Sequence, residues 1–253
     1  MYLWKYWRDT RIIFSAAVLV IAALFIEILR ERVGRVADAH QFANALPVFL
    51  LLQSLPLGFL GWFLGSFGIG RDLGEGSGSF LCSRPKNRSY FMWCSWACGL
   101  MQLLTIVALA NMVLWFQIHR LLLSTGDASH GQISFPDGTS LSLISILCLT
   151  CAIVFLLVAL VFTLTFSLTV VMKNVRGIIY GAGILVGYMI LAARVTHYWH
   201  TVRLPNLAIQ QFAYSKGQVA GIADHLGVSM AVRLAVILLF PFATQIVLEK
   251  MDI

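Results

Sequence analysis

Two histidines three residues apart, His197-Tyr-Trp-His200, offer the chain's most direct route to chemistry. On a helix that spacing puts both imidazoles on one face, where they could hold a divalent cation, with Asp127, His130 and His225 as further donors. Those donors are scattered over separate segments without the spacing of a recognised metal site. Histidine beside aromatic residues at the end of an apolar run also serves as an interfacial anchor. Cys148-Leu-Thr-Cys151 has the spacing of a redox or zinc pair, but no second pair follows and no histidine is near it in sequence. Its setting inside an apolar run makes Cys148 and Cys151, like Cys94 and Cys98, small buried hydrophobes; Cys82 lies apart in a polar stretch. Gly68, Gly70, Gly74, Gly76 and Gly78 suggest a loop that cradles phosphate. Gly68-Ile-Gly70-Arg-Asp-Leu-Gly74, however, has one residue too many for a dinucleotide fingerprint, and no Walker A pattern occurs anywhere. With no HExxH and no setting for a serine or cysteine nucleophile, the expectation is a chain with no catalytic residue, no metal and no cofactor. An integral-membrane enzyme using a metal on His197, His200 and Asp127 is the alternative.

The elements that would position these residues follow from composition. Of 253 residues, 59% are hydrophobic and 11% charged, against about 45–50% and about 25% in soluble domains. The 18 basic and 11 acidic side chains fall in clusters between long stretches that have almost none. Six apolar runs approach the ~20 residues that cross a bilayer's hydrocarbon. They are Ile12–Leu29, Ala43–Phe67, Phe91–Phe116, Leu141–Met172, Ile178–Ala193 and Ala231–Leu248. The fourth is long enough to tilt or project, the fifth is short, and Pro47 and Pro56 predict a kink in the second. The fold class is therefore all-α: a polytopic integral membrane protein with six transmembrane helices in a single transmembrane domain, residues 1–253.

An even number of crossings puts both termini on one side. If that side is cytoplasmic, ten of the basic residues lie inside (Lys5, Arg8, Arg11, Arg71, Arg84, Lys86, Arg88, Lys173, Arg176, Lys250) and eight at or beyond the outer boundary. The bias is small, but the 70–90 loop and the 172–177 turn are both distinctly basic, as the positive-inside rule asks. The net charge of +7 thus reflects topology and anionic headgroups rather than nucleic acid. Residues 1–11 carry Tyr2, Trp4, Tyr6 and Trp7 among Lys5, Arg8 and Arg11, which predicts a helix lying in the membrane interface rather than a signal peptide. Outside, Gln117–Ser140 reads as a loop with a turn at Pro136-Asp-Gly138. In Arg194–Met230, Val219, Ile222, Ala223 and Leu226 form a helical stripe, which predicts short outer amphipathic helices between the fifth and sixth crossings. Among intramembrane polar residues, Gln53, Gln102 and Asn111 are expected to hydrogen-bond between helices, and Glu27 to pair with Arg30 at the boundary. Gly61-xxx-Gly65 and Gly181 mark expected close helix contacts.

The cytoplasmic stretch between the second and third crossings is the most informative. Asp72 and Glu75 precede an apolar centre, Phe80-Leu81-Cys82, and Arg84, Lys86 and Arg88 follow it. If residues 72–83 are helical, acids at the N-terminal end and bases after the C-terminal end both suit the helix dipole. Pro85 stops that helix and Arg88 begins the return to the membrane. Such an element suits docking on a cytoplasmic partner.

The order Asp72-xxx-Gly76-xxxx-Leu81-Cys-Ser-Arg-Pro85-Lys-Asn-Arg88 resembles the signature of ABC type-2 transporter permeases, in which an acidic residue, a glycine and a Ser-x-Pro-x-x-Arg turn precede the third helix. Ser77, Lys86-Asn87 and Cys94 depart from that family's residues at their positions. The basic, aromatic N-terminus and the six crossings match it at lower specificity. The resemblance implies the membrane half of an exporter, with ATP hydrolysed by a separate cytoplasmic ABC ATPase subunit. It implies that Asp72, Glu75, Gly76, Phe80, Leu81, Arg84, Pro85 and Arg88 form the coupling segment that docks on that ATPase. It further implies a pathway at the interface of a homodimer, or of a heterodimer with a second permease, and a multi-pass location in a plasma membrane of the bacterial inner-membrane kind, with both termini cytoplasmic.

Overall fold

The computed structural model describes residues 2–33, 56–66, 88–125, 132–134, 140–172, 179–183, 186 and 219–250. Its long elements are all helices: α1 (Tyr2–Val33), α2 (56–66), α3 (Arg88–Thr125), α4 (Leu143–Met172), the short α5 (179–183) and α6 (Val219–Lys250). Three are long and apolar enough to cross a membrane, within Ser89–Met112, Cys151–Met172 and Met230–Lys250. The apolar part of α1, Thr10–Val20, is shorter than that measure. This accords with a membrane-embedded, helical protein.

The third run is helical well past its expected end. Leu121-Leu-Leu123 prolongs the apolar pattern, and α3 continues to Thr125, just before Gly126 in sequence. The expected loop from Gln117 is therefore shorter by about two turns, and it holds a feature the composition concealed. Strands β1 (Gln132–Ser134) and β2 (Ser140–Ser142) pair antiparallel, Ile133 opposite Leu141. They flank the Pro136-Asp-Gly138 turn signal, and three residues per strand are too few to show alternation in a sequence. The predicted stripe at Val219–Leu226 is helical, but it belongs to the first turns of α6 and runs unbroken into the sixth apolar run. A separate amphipathic helix at that place is replaced by one 32-residue helix. Nothing in 219–230 interrupts it: Gly221 and Gly227 weaken a helix but do not end it, and no proline intervenes.

Contacts between helices fix their directions. Tyr6 lies against Gly99 and Thr10 against Gln102, so α1 and α3 run parallel. Gly61 abuts Val158 and Gly65 abuts Phe162 and Thr165, so α2 and α4 also run parallel. Trp96 meets Thr163 and Gly99 meets Phe162, which sets α3 antiparallel to α4. Helix α6 lies along α4 and brings Phe242 and Gln245 to Trp93 near the start of α3. The N-terminal ends of α1 and α3 and the C-terminal ends of α2, α4 and α6 therefore share one end of the bundle.

The core is continuous from Leu57, Leu60 and Leu64 of α2 through Met92, Leu103, Ile106 and Val107 of α3 to Val154, Val158, Phe162, Phe166 and Val170 of α4. Gly61-xxx-Gly65 gives α2 a smooth face on which the α4 backbone rests. A methyl added at Gly61 would come within 2.9 Å of the Val158 carbonyl oxygen, and one at Gly65 within 2.7 Å of that of Phe162. In lipid, where apolar side chains gain little from leaving the solvent, such backbone-level packing is a main source of cohesion. Gly181 packs instead against side chains, those of Thr165 of α4 and Trp62 of α2.

Candidate functional site

The shared end of the bundle is built around α3. Its first residue, Arg88, is the last of the sequence's docking candidates; Asp72, Glu75, Gly76, Phe80, Leu81, Arg84 and Pro85 lie outside the described residues. At 1.5 Å per residue, Gly99 sits about 16 Å along the helix axis from Arg88. A methyl on Gly99 would collide with the Phe162 ring and come within 3.1 Å of the Tyr6 hydroxyl. Three helices thus meet at one glycine, and the fourth is tied in by Tyr6, whose hydroxyl donates to the carbonyl oxygen of Leu64 at 3.1 Å.

Two polar side chains extend this junction. The Gln102 amide nitrogen donates to Thr10 Oγ1 at 2.8 Å, and Thr10 Oγ1 in turn donates to the carbonyl oxygen of Tyr6 at 2.8 Å. Trp96 Nε1 donates to Thr163 Oγ1 at 3.2 Å, joining α3 to α4. Thr169 Oγ1 is shared between the carbonyl oxygen of Phe166 on its own helix at 2.8 Å and that of Gly65 on α2 at 3.2 Å. Ser66, Ser95, Thr105, Asn111 and Thr244 each bond a carbonyl oxygen three or four residues earlier on their own helix. Such a bond lets a hydroxyl or amide sit in an apolar helix at low cost. Gln102 therefore makes the interhelical bond its sequence position suggested, whereas the Asn111 amide bonds the carbonyl oxygen of Val107 one turn back on α3. Two buried acceptors, Gln102 Oε1 and Ser167 Oγ, receive no hydrogen bond.

Nearer the end, α3 meets α6. Trp93 Nε1 donates to Gln245 Oε1 at 2.9 Å, and Gln245 Nε2 donates to Glu249 Oε1 at 2.8 Å. The Trp93 ring stands edge-on to Trp96 at 5.3 Å and to Phe242 at 4.9 Å between centroids. Sequence reading passed over Gln245 because a lone amide in an apolar run carries no spacing signal. Its i, i+4 relation to Glu249 was the available clue.

The α1 surface is divided. Tyr6 and Thr10 are buried, while Trp7, Arg8, Arg11 and Ile12 are exposed on the outward face. The helix is continuous from Tyr2 into the first apolar run. Glu27 is exposed on that outward face. Arg233 lies three residues into the Met230–Lys250 span, about 18 Å along α6 from Gln245, and is 2% exposed. A cation held inside an apolar helix is a functional candidate in its own right. The signal for it was legible, since Arg233 stands just inside the apolar run Ala231–Leu248 with no further charge before Glu249.

The other candidates separate. Among the described residues, no group of three or more His, Cys, Asp or Glu side chains could hold a metal. His197, His200, Asp127 and His130 lie outside the described residues, as do Gln53 and Cys82. Cys94, Cys98, Cys148 and Cys151 are free thiols; Cys98 is buried, Cys94 and Cys151 are half-buried, and Cys148 faces outward, contrary to its expected burial. It stands on the first turns of α4.

No curated protein and no solved structure matches the chain. A family model does match, over residues 12–253, that is, nearly the whole sequence. The chain belongs to the DUF2705 family of proteins of unknown function.

Proposed function

We propose that the chain is the membrane-spanning permease subunit of an ABC type-2 transporter, exporting a substrate with ATP hydrolysed by a separate cytoplasmic ATPase. The observation that carries the reading is the gathering of helix ends. The two helix ends that flank residues 67–87, α2 at Ser66 and α3 at Arg88, share one end of the bundle with the start of α1 and the end of α6. A docking segment at 72–88 and both chain termini then face the same compartment, as a permease driven from the cytoplasm requires. Because α4 and α6 run toward the same end, Met172 and Val219 lie at opposite ends of the bundle. The fifth apolar run lies between them in sequence, which supports the reading of six crossings.

In this mechanism the chain performs no bond chemistry. Its work is mechanical. An ATPase pressing on residues 72–88 would displace the first turns of α3. Trp96, Gly99 and Gln102 would pass that displacement to α4 and α1. The functional unit is two copies of this chain, or this chain with a second permease, in the plasma membrane with both termini cytoplasmic.

The test is co-expression with a lone ATPase that carries a Walker A loop and is encoded beside this chain. The ATPase should co-purify with the unaltered protein and be lost with Arg88→Glu and with deletion of residues 74–83. An ATPase that stays bound to both variants refutes the docking assignment.

A further inference from the structure

The contacts of Trp93 reach further than the four-helix junction. The Gln245 amide has a donor on one side, the Trp93 indole N–H, and a carboxylate acceptor on the other, Glu249. Only one orientation of the amide satisfies both. Turned over, it would set N–H against N–H and carbonyl against carboxylate. The indole is also clamped between Trp96 and Phe242 in edge-on contacts, which aromatic rings favour. Three consecutive turns of α6 thus grip one residue of α3: Phe242, Gln245 and, through Gln245, Glu249. Trp93 is five residues beyond Arg88, about 7.5 Å along the helix. Over the rest of its length α6 rests mainly on α4 and turns a broad apolar face outward, with Val232, Leu234, Leu238 and Leu239 exposed; only 28% of its apolar span is buried, against 61% for that of α4.

We infer that the first turns of α3 and the last turns of α6 form one rigid unit, clasped by Trp93, Gln245 and Glu249, so that a displacement entering at Arg88 moves the C-terminal end of α6 with it. The unit itself needs no partner; its role as a second mechanical output rests on the proposed docking of residues 72–88. A helix packed chiefly along one neighbour can slide on it, as small shear motions between packed helices do. A fixed bond to a different helix at one end couples that sliding to the movement of α3.

The experiment is pulsed electron-electron distance measurement on the full chain, with Cys82, Cys94, Cys98, Cys148 and Cys151 changed to alanine. Spin labels go on the exposed positions 90 (α3) and 247 (α6), through Tyr90→Cys and Val247→Cys. The 90–247 pair should give one narrow distance peak. Trp93→Phe, which keeps a ring but removes the N–H, and Gln245→Leu should each raise the population at other distances about fivefold, the factor that the net strength of one such bond supports. A 90–247 distribution unchanged in both variants overturns the clasp. With the cognate ATPase bound and ATP added, the distance between labels at position 247 on two copies of the chain should shift while 90–247 within a copy stays fixed. If both shift equally, the coupling of α6 to α3 is refuted. Failure of the ATPase to bind at all counts against the permease reading, and the first comparison still decides the rigid unit.

Discussion

Gly65→Ala offers the sharpest check on how α2 and α4 are held together. The added methyl would meet the Phe162 carbonyl oxygen at 2.7 Å, Thr165 Cβ at 3.0 Å and the Phe166 amide nitrogen at 3.2 Å. Two of these are backbone atoms of a buried helix and cannot swing aside, so α2 and α4 have to separate. Overpacking of this kind costs about 1–3 kcal/mol. Separation also stretches the Thr169 hydroxyl away from the Gly65 carbonyl oxygen, already at 3.2 Å, a net loss of up to about 1 kcal/mol. Alanine's better helix propensity returns at most about 1 kcal/mol. The expected balance is a destabilisation of about 1–3 kcal/mol, or some 2–4 °C in Tm for each kcal/mol in a chain of this size. Gly58→Ala is the internal control. It lies two turns earlier on the same helix, and a methyl there meets nothing within 4 Å. It should keep only the propensity gain and leave Tm unchanged or slightly raised. Thermal unfolding of both variants in the same detergent, followed by circular dichroism at 222 nm, makes the comparison. A Gly65→Ala protein as stable as Gly58→Ala would show that α4 does not rest on α2 at backbone distance, and the parallel pairing of the two helices would fall with it.

Thr163→Val should cost about 1–3 kcal/mol, because it strands the buried Trp96 indole N–H, and a Trp96→Phe/Thr163→Val double-mutant cycle in thermal unfolding should return a favourable coupling energy between the two side chains. Tyr6→Phe removes the tie to the Leu64 carbonyl oxygen and should lower stability by about 0.5–1.5 kcal/mol in the same assay. Gln102→Leu should be close to neutral, since Gln102 Oε1 is buried without a donor and Thr10 keeps its bond to the Tyr6 carbonyl oxygen.

What the sequence disclosed was whatever depends on local pattern. Runs of apolar residues between charges announce helices, because a helix alone satisfies its own backbone in lipid, and the cores of α3, α4 and α6 fell where the runs did. Gly61-xxx-Gly65 announced a close contact, because only a glycine ridge admits another backbone. The contact's partner was not legible. Nothing in Val158 or Phe162 marks them as facing α2, since α4 carries no charge on any side and has apolar residues all round. The β1–β2 hairpin and the length of α3 were concealed for the opposite reason: short strands, and a helix extension that opens on Gln117, His119 and Arg120, both look like loop in composition. The Trp93–Gln245 pair was beyond reach because its members stand 152 residues apart and each taken alone is an ordinary interfacial side chain.

The packing at the shared end also bears on where a cargo could pass. Inside the chain, α2 and α4 touch backbone to backbone at Gly61 and Gly65, and Phe162 fills the space at Gly99 between α3 and α4. A route through this junction would have to part α2 from α4, break the Tyr6, Thr169 and Trp96 bonds and expose Leu64, Phe162 and Phe166 together. Outside it, the faces of α1 and α6 carry Ile12, Leu19, Val20 and Leu238, Leu239, Ile246, exposed among the described residues. Burying such faces against a second copy costs no interior packing, and rearranging that contact breaks none of the bonds at the junction. On the permease reading the pathway therefore belongs between chains rather than within one, and the junction at Gly99 acts as the stiff lever that opens it.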